Sequence, residues 1–102
     1  MIQQLEEAIA REFSAEENVR YVLLETSDGC QQVLAVLDEA GPAVRRRIYR
    51  IEERLMNQFP DKMLDFNILR LRGAKPCQIS TDALVVFDRE RYLEDAVHHR
   101  TH

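Results

Sequence analysis

The sequence predicts an α+β domain: a mixed β-sheet with helices mainly on one face, in the order α-β-β-α-β-(β)-α. Three observations point there. Two segments carry apolar residues at helical spacing, two β-branched and leucine-rich runs flank the dipeptide Asp28-Gly29, and no internal repeat or linker-like stretch divides the 102 residues. Two separate cores would leave each half too small to bury enough apolar surface. One domain over residues 1–102 is therefore expected, with the tail from about 98 to 102 frayed.

Leu5, Ile9 and Phe13 fall at successive four-residue steps with Ile2 a turn earlier, while Glu6, Glu7, Arg11 and Glu12 take the other side, which predicts a first helix. Ser14 and Glu17 have the spacing of a capping box, yet no periodic run follows, so the chain breaks or turns there. Val19 to Glu25 then reads as a strand apolar on both faces. Asp28-Gly29 predicts a type I′ hairpin, because that turn needs positive φ at both central residues. Gln31 to Leu37 is the return strand.

Gly41-Pro42 halts extension and starts a helix, since proline at the first helical position gives up an N–H that has no partner anyway. Val44, Ile48, Ile51, Leu55 and Phe59 form one narrow stripe that must pack on the sheet, and Pro60-Asp61 ends the helix. Leu64, Phe66 and Ile68 alternate with Asp65 and Asn67, but Leu69 and Leu71 shift the phase. A bulge or an edge position is expected for this strand. Gly73 and Pro76 break it, Ala83 to Phe87 reads as a short strand, and Asp88 is placed to cap a last helix containing Tyr92, Leu93, Ala96 and Val97.

Composition narrows the function. With 45% hydrophobic and 31% charged residues the chain is ordinary globular material, not a disordered segment. A net charge of −4 and a pI near 5.3 oppose a general nucleic-acid or membrane-surface role. The start of the chain is acidic and amphipathic and no apolar run approaches a membrane span, so a cytoplasmic location is expected. Cys30 and Cys77 are too few for a disulfide framework and lack zinc-site spacing.

The order and spacing of these parts resemble the minimal nucleotidyltransferase domains of the polymerase-β-like superfamily over about two thirds of the chain, extending toward Phe87. Thr26-Ser27-Asp28-Gly29 stands at the turn, Val33-Leu34-Ala35-Val36-Leu37-Asp38 matches the apolar run, and Leu64-Asp65-Phe66 resembles the third strand. In that family the second strand supplies an Asp-x-Asp pair and the third strand another carboxylate. Here Cys30 and Gln32 occupy the paired positions, and only Asp65, with the turn residue Asp28, remains acidic. Two magnesium ions require hard anionic oxygens, which a thiol and an amide do not supply. The resemblance thus implies degenerate metal-site positions at Cys30, Gln32 and Asp65, no catalytic residue, no metal and no cofactor. Val33 to Leu69 also resembles a ferredoxin-like βαββ unit such as the cytoplasmic domain of cation-efflux transporters.

Other features are candidate sites. Arg46, Arg47, Arg50 and Arg54 form a cationic column on one flank of the second helix, with Arg45 on the opposite flank. Like charges so spaced cost roughly 0.2–0.5 kcal/mol per pair. Glu53, or acids elsewhere on the fold, are expected to offset this; otherwise the column binds an anion or an acidic partner, for which arginine has the geometry. His98, His99 and His102 suggest a metal only in combination with Cys30 or Cys77, and a solvated tail explains them more simply. Thr26 and Ser27 have no evident general base, and Cys30 reads as a small, partly buried hydrophobe.

The expected function is a non-catalytic nucleotidyltransferase-like binding module that pairs with itself as a homodimer or with a protein partner. The alternatives are a divergent metal-dependent transferase and an anion or nucleic-acid binder acting through the arginines.

Overall fold

The computed structural model describes residues 5–70 and 83–91. Its elements are α1 (Leu5–Ser14), β1 (Val19–Ser27), β2 (Cys30–Leu37), α2 (Pro42–Gln58), β3 (Met63–Arg70) and β4 (Leu84–Asp88). The four strands form one mixed sheet in the order β3-β2-β1-β4, the α+β architecture expected.

α1 buries Leu5, Ala8, Ile9 and Phe13, one stripe at three- and four-residue spacing. Ser14 closes this helix instead of opening another: its Oγ donates to the Arg11 carbonyl at 2.8 Å, satisfying an otherwise orphan acceptor of the last turn. The chain then turns through Glu16 N–H to the Phe13 carbonyl and Val19 N–H to the Glu16 carbonyl, both 3.1 Å.

Asp28 and Gly29 adopt φ of 50° and 79°, the two left-handed residues that the hairpin requires. β1 and β2 pair antiparallel from Ser27↔Cys30 back to Val19↔Leu37, with a register shift between Val19 and Tyr21. That bulge puts Val19 and Val22 on the same face, opposite Leu37 and Ala35, and all four are buried.

α2 begins with Gly41 as an extended N-cap and proline in its first turn. Ile48, Ile51 and Leu55 are buried, and Val44 and Phe59 pack on them from the stripe's ends. β3 runs parallel to β2 through eight consecutive pairs, Cys30↔Met63 to Leu37↔Arg70. Of the two alternatives expected, bulge or edge, the strand takes the edge among the described residues, with no register shift. Leu64, Phe66 and Ile68 pack toward the helices, whereas Leu69 pairs with Val36 on the opposite face, which is also apolar at that end. The phase shift therefore reflects a sheet apolar on both sides, with no kink in the backbone.

β4 pairs antiparallel with β1, and a register shift at Val86 brings Phe87 opposite Val22. Arg89 to Arg91 are helical, and Asp88 Oδ1 accepts from the Glu90 N–H at 3.1 Å, the capping geometry expected of Asp88. The expectations for Ile2, Leu71, Gly73, Pro76, Cys77, Tyr92, Leu93, Ala96, Val97 and the three histidines concern positions outside the described residues.

The main core lies between the two helices and one face of the sheet. Leu23 and Val36 face the other way and are nonetheless 2% and 0% exposed. Their burial is complete within one chain, so these two side chains create no demand for a second subunit. No helix among the described residues is long and apolar enough to cross a membrane.

Candidate functional site

On the sheet face turned away from the helices, Gln32 lies opposite Glu25 of β1 on one side and Asp65 of β3 on the other. Cys30 pairs with Ser27 and with Met63, which is 70% exposed. Strand alternation puts Cys30, Gln32 and Asp65 on this common face. Glu25 joins them, a carboxylate that the sequence reading did not single out. Counting back two residues on each strand from Ser27↔Cys30 reaches Glu25 and Gln32, so the hairpin itself carried the signal.

With strands about 4.8 Å apart, the Glu25 and Asp65 backbones sit roughly 10 Å from one another across β2. A cavity of about 210 Å³ opens on this side, with Leu23 and Leu34 as its apolar wall and Glu25, Gln32 and Asn67 as polar groups; Asp65 is not part of its lining. That is smaller than the ~300–1,000 Å³ typical of sites for drug-sized ligands. A two-magnesium centre does not fit this donor set of one thiol, one amide and two carboxylates held two strands apart. Among the described residues no three or more His, Cys, Asp or Glu side chains converge as a metal-binding group. Thr26 is engaged elsewhere, with its Oγ1 donating to Gln31 Oε1 at 2.8 Å.

The arginine column sits beside the end of α1. Arg47 grips Glu16 with two bonds, Nε to Oε1 at 2.5 Å and Nη2 to Oε2 at 3.3 Å. Arg54 Nε donates to Glu12 Oε1 at 2.8 Å, and Gln58 Nε2 reaches the other oxygen at 3.3 Å. Arg45 turns back to the Ala40 carbonyl at 2.8 Å. The expected compensation comes from α1 and the turn after it; Glu53 pairs with neither Arg46 nor Arg50. Arg46 and Arg50 have no ion pair or hydrogen bond among the described residues. Arg47, Arg50 and Arg54 line a cleft of about 220 Å³ with Ala15, Glu16 and Ile51.

Glu16 is 5% exposed yet charged. Its hydrogen bonds from Arg47 outweigh the cost of burial, and Asn18 adds a side-chain bond at 2.9 Å, so its carboxyl lies below the usual glutamate range. A depressed folded-state pKa contributes stability that is fully present above the unfolded value of about 4.3 and is lost as pH falls through the lower folded value. Glu52 acts in the opposite sense, since burial raises its carboxyl. Glu16→Gln is therefore expected to lower stability at pH 7 and to reduce the further loss between pH 5 and pH 3, read as urea midpoints. An acid limb unchanged by the substitution refutes this assignment.

No protein-family profile matches the chain, and no curated protein matches it. Among solved structures it is similar to a chain of the complex between a tri-AMPylated HEPN toxin and its MNT antitoxin from Shewanella oneidensis. The TM-score is 0.54 at 15% sequence identity, covering 88% of this chain and 75% of that one. At this identity the likeness speaks for the fold alone.

Proposed function

We propose that the protein is a non-catalytic, nucleotidyltransferase-like binding module that works through a protein partner, either a second copy or another chain. The observation that carries this reading is the row Glu25, Gln32, Asp65. An amide stands at its centre, where the nucleotidyltransferase resemblance calls for a metal-binding aspartate, and a thiol stands at the other paired position. The structural likeness to a member of a toxin–antitoxin complex supports partner binding as the use of such a fold.

The test is thermal unfolding with and without millimolar magnesium and nucleoside triphosphate. A ligand that binds only the native state raises the melting temperature, by about 2.7 kcal/mol of stabilisation at a hundredfold excess over Kd. No shift is expected. A magnesium-dependent rise that Asp65→Asn abolishes would instead favour the divergent transferase, with Glu25 and Asp65 as its carboxylates. Sedimentation of the same samples separates a homodimer from a monomer awaiting another chain.

A further inference from the structure

We propose that the exposed flank of α2 beside the cleft at the end of α1 seats an acidic helical segment of a protein partner, with carboxylates one turn apart engaging Arg50, which lines the cleft, and Arg46, which lies one turn earlier outside its lining. This inference rests on the partner-binding reading above and names the surface that does the binding.

The four arginines of the column are not equivalent. Arg47 and Arg54 are tied to Glu16 and Glu12, which fixes them as the walls of the cleft. Arg50 lies between them and Arg46 lies one turn earlier, both exposed and without an acidic partner among the described residues. The two α1-side carboxylates thus leave two positive charges uncompensated on a molecule whose net charge is −4. Helix residues four apart hold their Cβ atoms about 5–6 Å from one another, so Arg46 and Arg50 match glutamates or aspartates at the same spacing on a facing helix. Arginine can chelate each carboxylate with two donors. Exposed Glu53, one turn beyond Arg50, bounds the cationic stretch and opposes a longer polyanion.

That boundary selects the class of partner. Nucleic acid presents an unbroken line of phosphates and would meet Glu12, Glu16, Glu17 and Glu53 around the cleft, together with the chain's overall negative charge. A short acidic helix presents its charge only where the arginines are.

The experiment uses the full chain and fluorescence anisotropy with a labelled synthetic helical peptide bearing glutamates four residues apart. Its controls are a peptide of the same composition with the glutamates moved out of that spacing, and a DNA duplex. Saturable binding of the spaced peptide is expected, weakened at least about tenfold in R46E/R50E and little changed in R45E, which lies on the other flank. Circular dichroism checks that the exposed double variant stays folded. The proposal is overturned if the spaced peptide does not bind, binds R46E/R50E equally well, or binds no better than the shuffled peptide or the duplex. The reading beneath it fails separately: magnesium-dependent stabilisation by nucleoside triphosphate retires the non-catalytic module whatever the peptide does. A self-association measured by sedimentation that survives R46E/R50E retires the cleft as its interface and leaves the module standing.

Discussion

Replacing Arg89 with alanine is expected to cost about 3 kcal/mol of unfolding free energy, a large loss for one residue at the edge of the sheet. The guanidinium is buried, with the residue 8% exposed, and it fastens three backbone carbonyls at once. Nε donates to Val19 at 3.1 Å, Nη1 to Ser14 at 3.1 Å and Nη2 to Glu16 at 2.6 Å. These acceptors belong to the last residue of α1, the turn after it and the first residue of β1. The cation also stacks over the Phe87 ring, 4.8 Å from its centroid. Truncation removes the side-chain donor from the Ser14 and Val19 carbonyls, at about 1 kcal/mol or more each, leaves the Glu16 carbonyl with only the Val19 N–H, and removes packing under Phe87. Arg89→Lys keeps the charge but not the planar fork, so an intermediate loss is expected. The measurement is the urea midpoint at unchanged slope. A loss within 0.5 kcal/mol for the alanine variant would show that the three bonds contribute little net stability. Because Glu16 sits in the turn that Arg89 holds, the same contact steadies one wall of the arginine cleft.

Arg89 also shows where sequence reading stops. Its acceptors lie 70 to 75 residues earlier in the chain, and nothing local distinguishes it from a solvated arginine after a capping aspartate. The hairpin was readable because Asp28-Gly29 states its own turn geometry, and α2 was readable because five apolar residues share one arc. From the hairpin the pairing of Glu25 with Gln32 also follows by counting. The pairing of Asp65 with Gln32 needed the parallel register of β3, which no turn sets. The compensation of Arg47 and Arg54 likewise depended on how α1 lies against α2, so the sequence points to acids elsewhere on the fold without identifying Glu12 and Glu16. The choice between bulge and edge for β3 is not legible in the sequence for a related reason. Alternation tells the two faces of a strand apart only while one of them is polar, and around Ile68 and Leu69 neither is.

Phe13→Ala should be the most destabilising single truncation, by about 3–5 kcal/mol. Phe13 heads the completely buried side chains by volume, and its exposure is 0%. It occupies the end of α1, where the helix stripe meets the sheet, and its carbonyl accepts the Glu16 N–H that begins the next turn. Loss of the ring removes apolar burial and opens a void that the surrounding close-packed core can only partly collapse into. Leu84→Ala is the control, because Leu84 is 55% exposed and its truncation should cost well under 1 kcal/mol. A domain of this size has roughly 5–15 kcal/mol in total, so Phe13→Ala removes a large share and belongs in a urea titration at low temperature. Equal losses for the two variants would mean that the helix-side face is not the principal core. The unequal result is the one required if α1 is fixed firmly enough for Glu12 and Glu16 to hold Arg54 and Arg47 in place, since those two ion pairs position the arginine cleft only while α1 stays seated on the sheet.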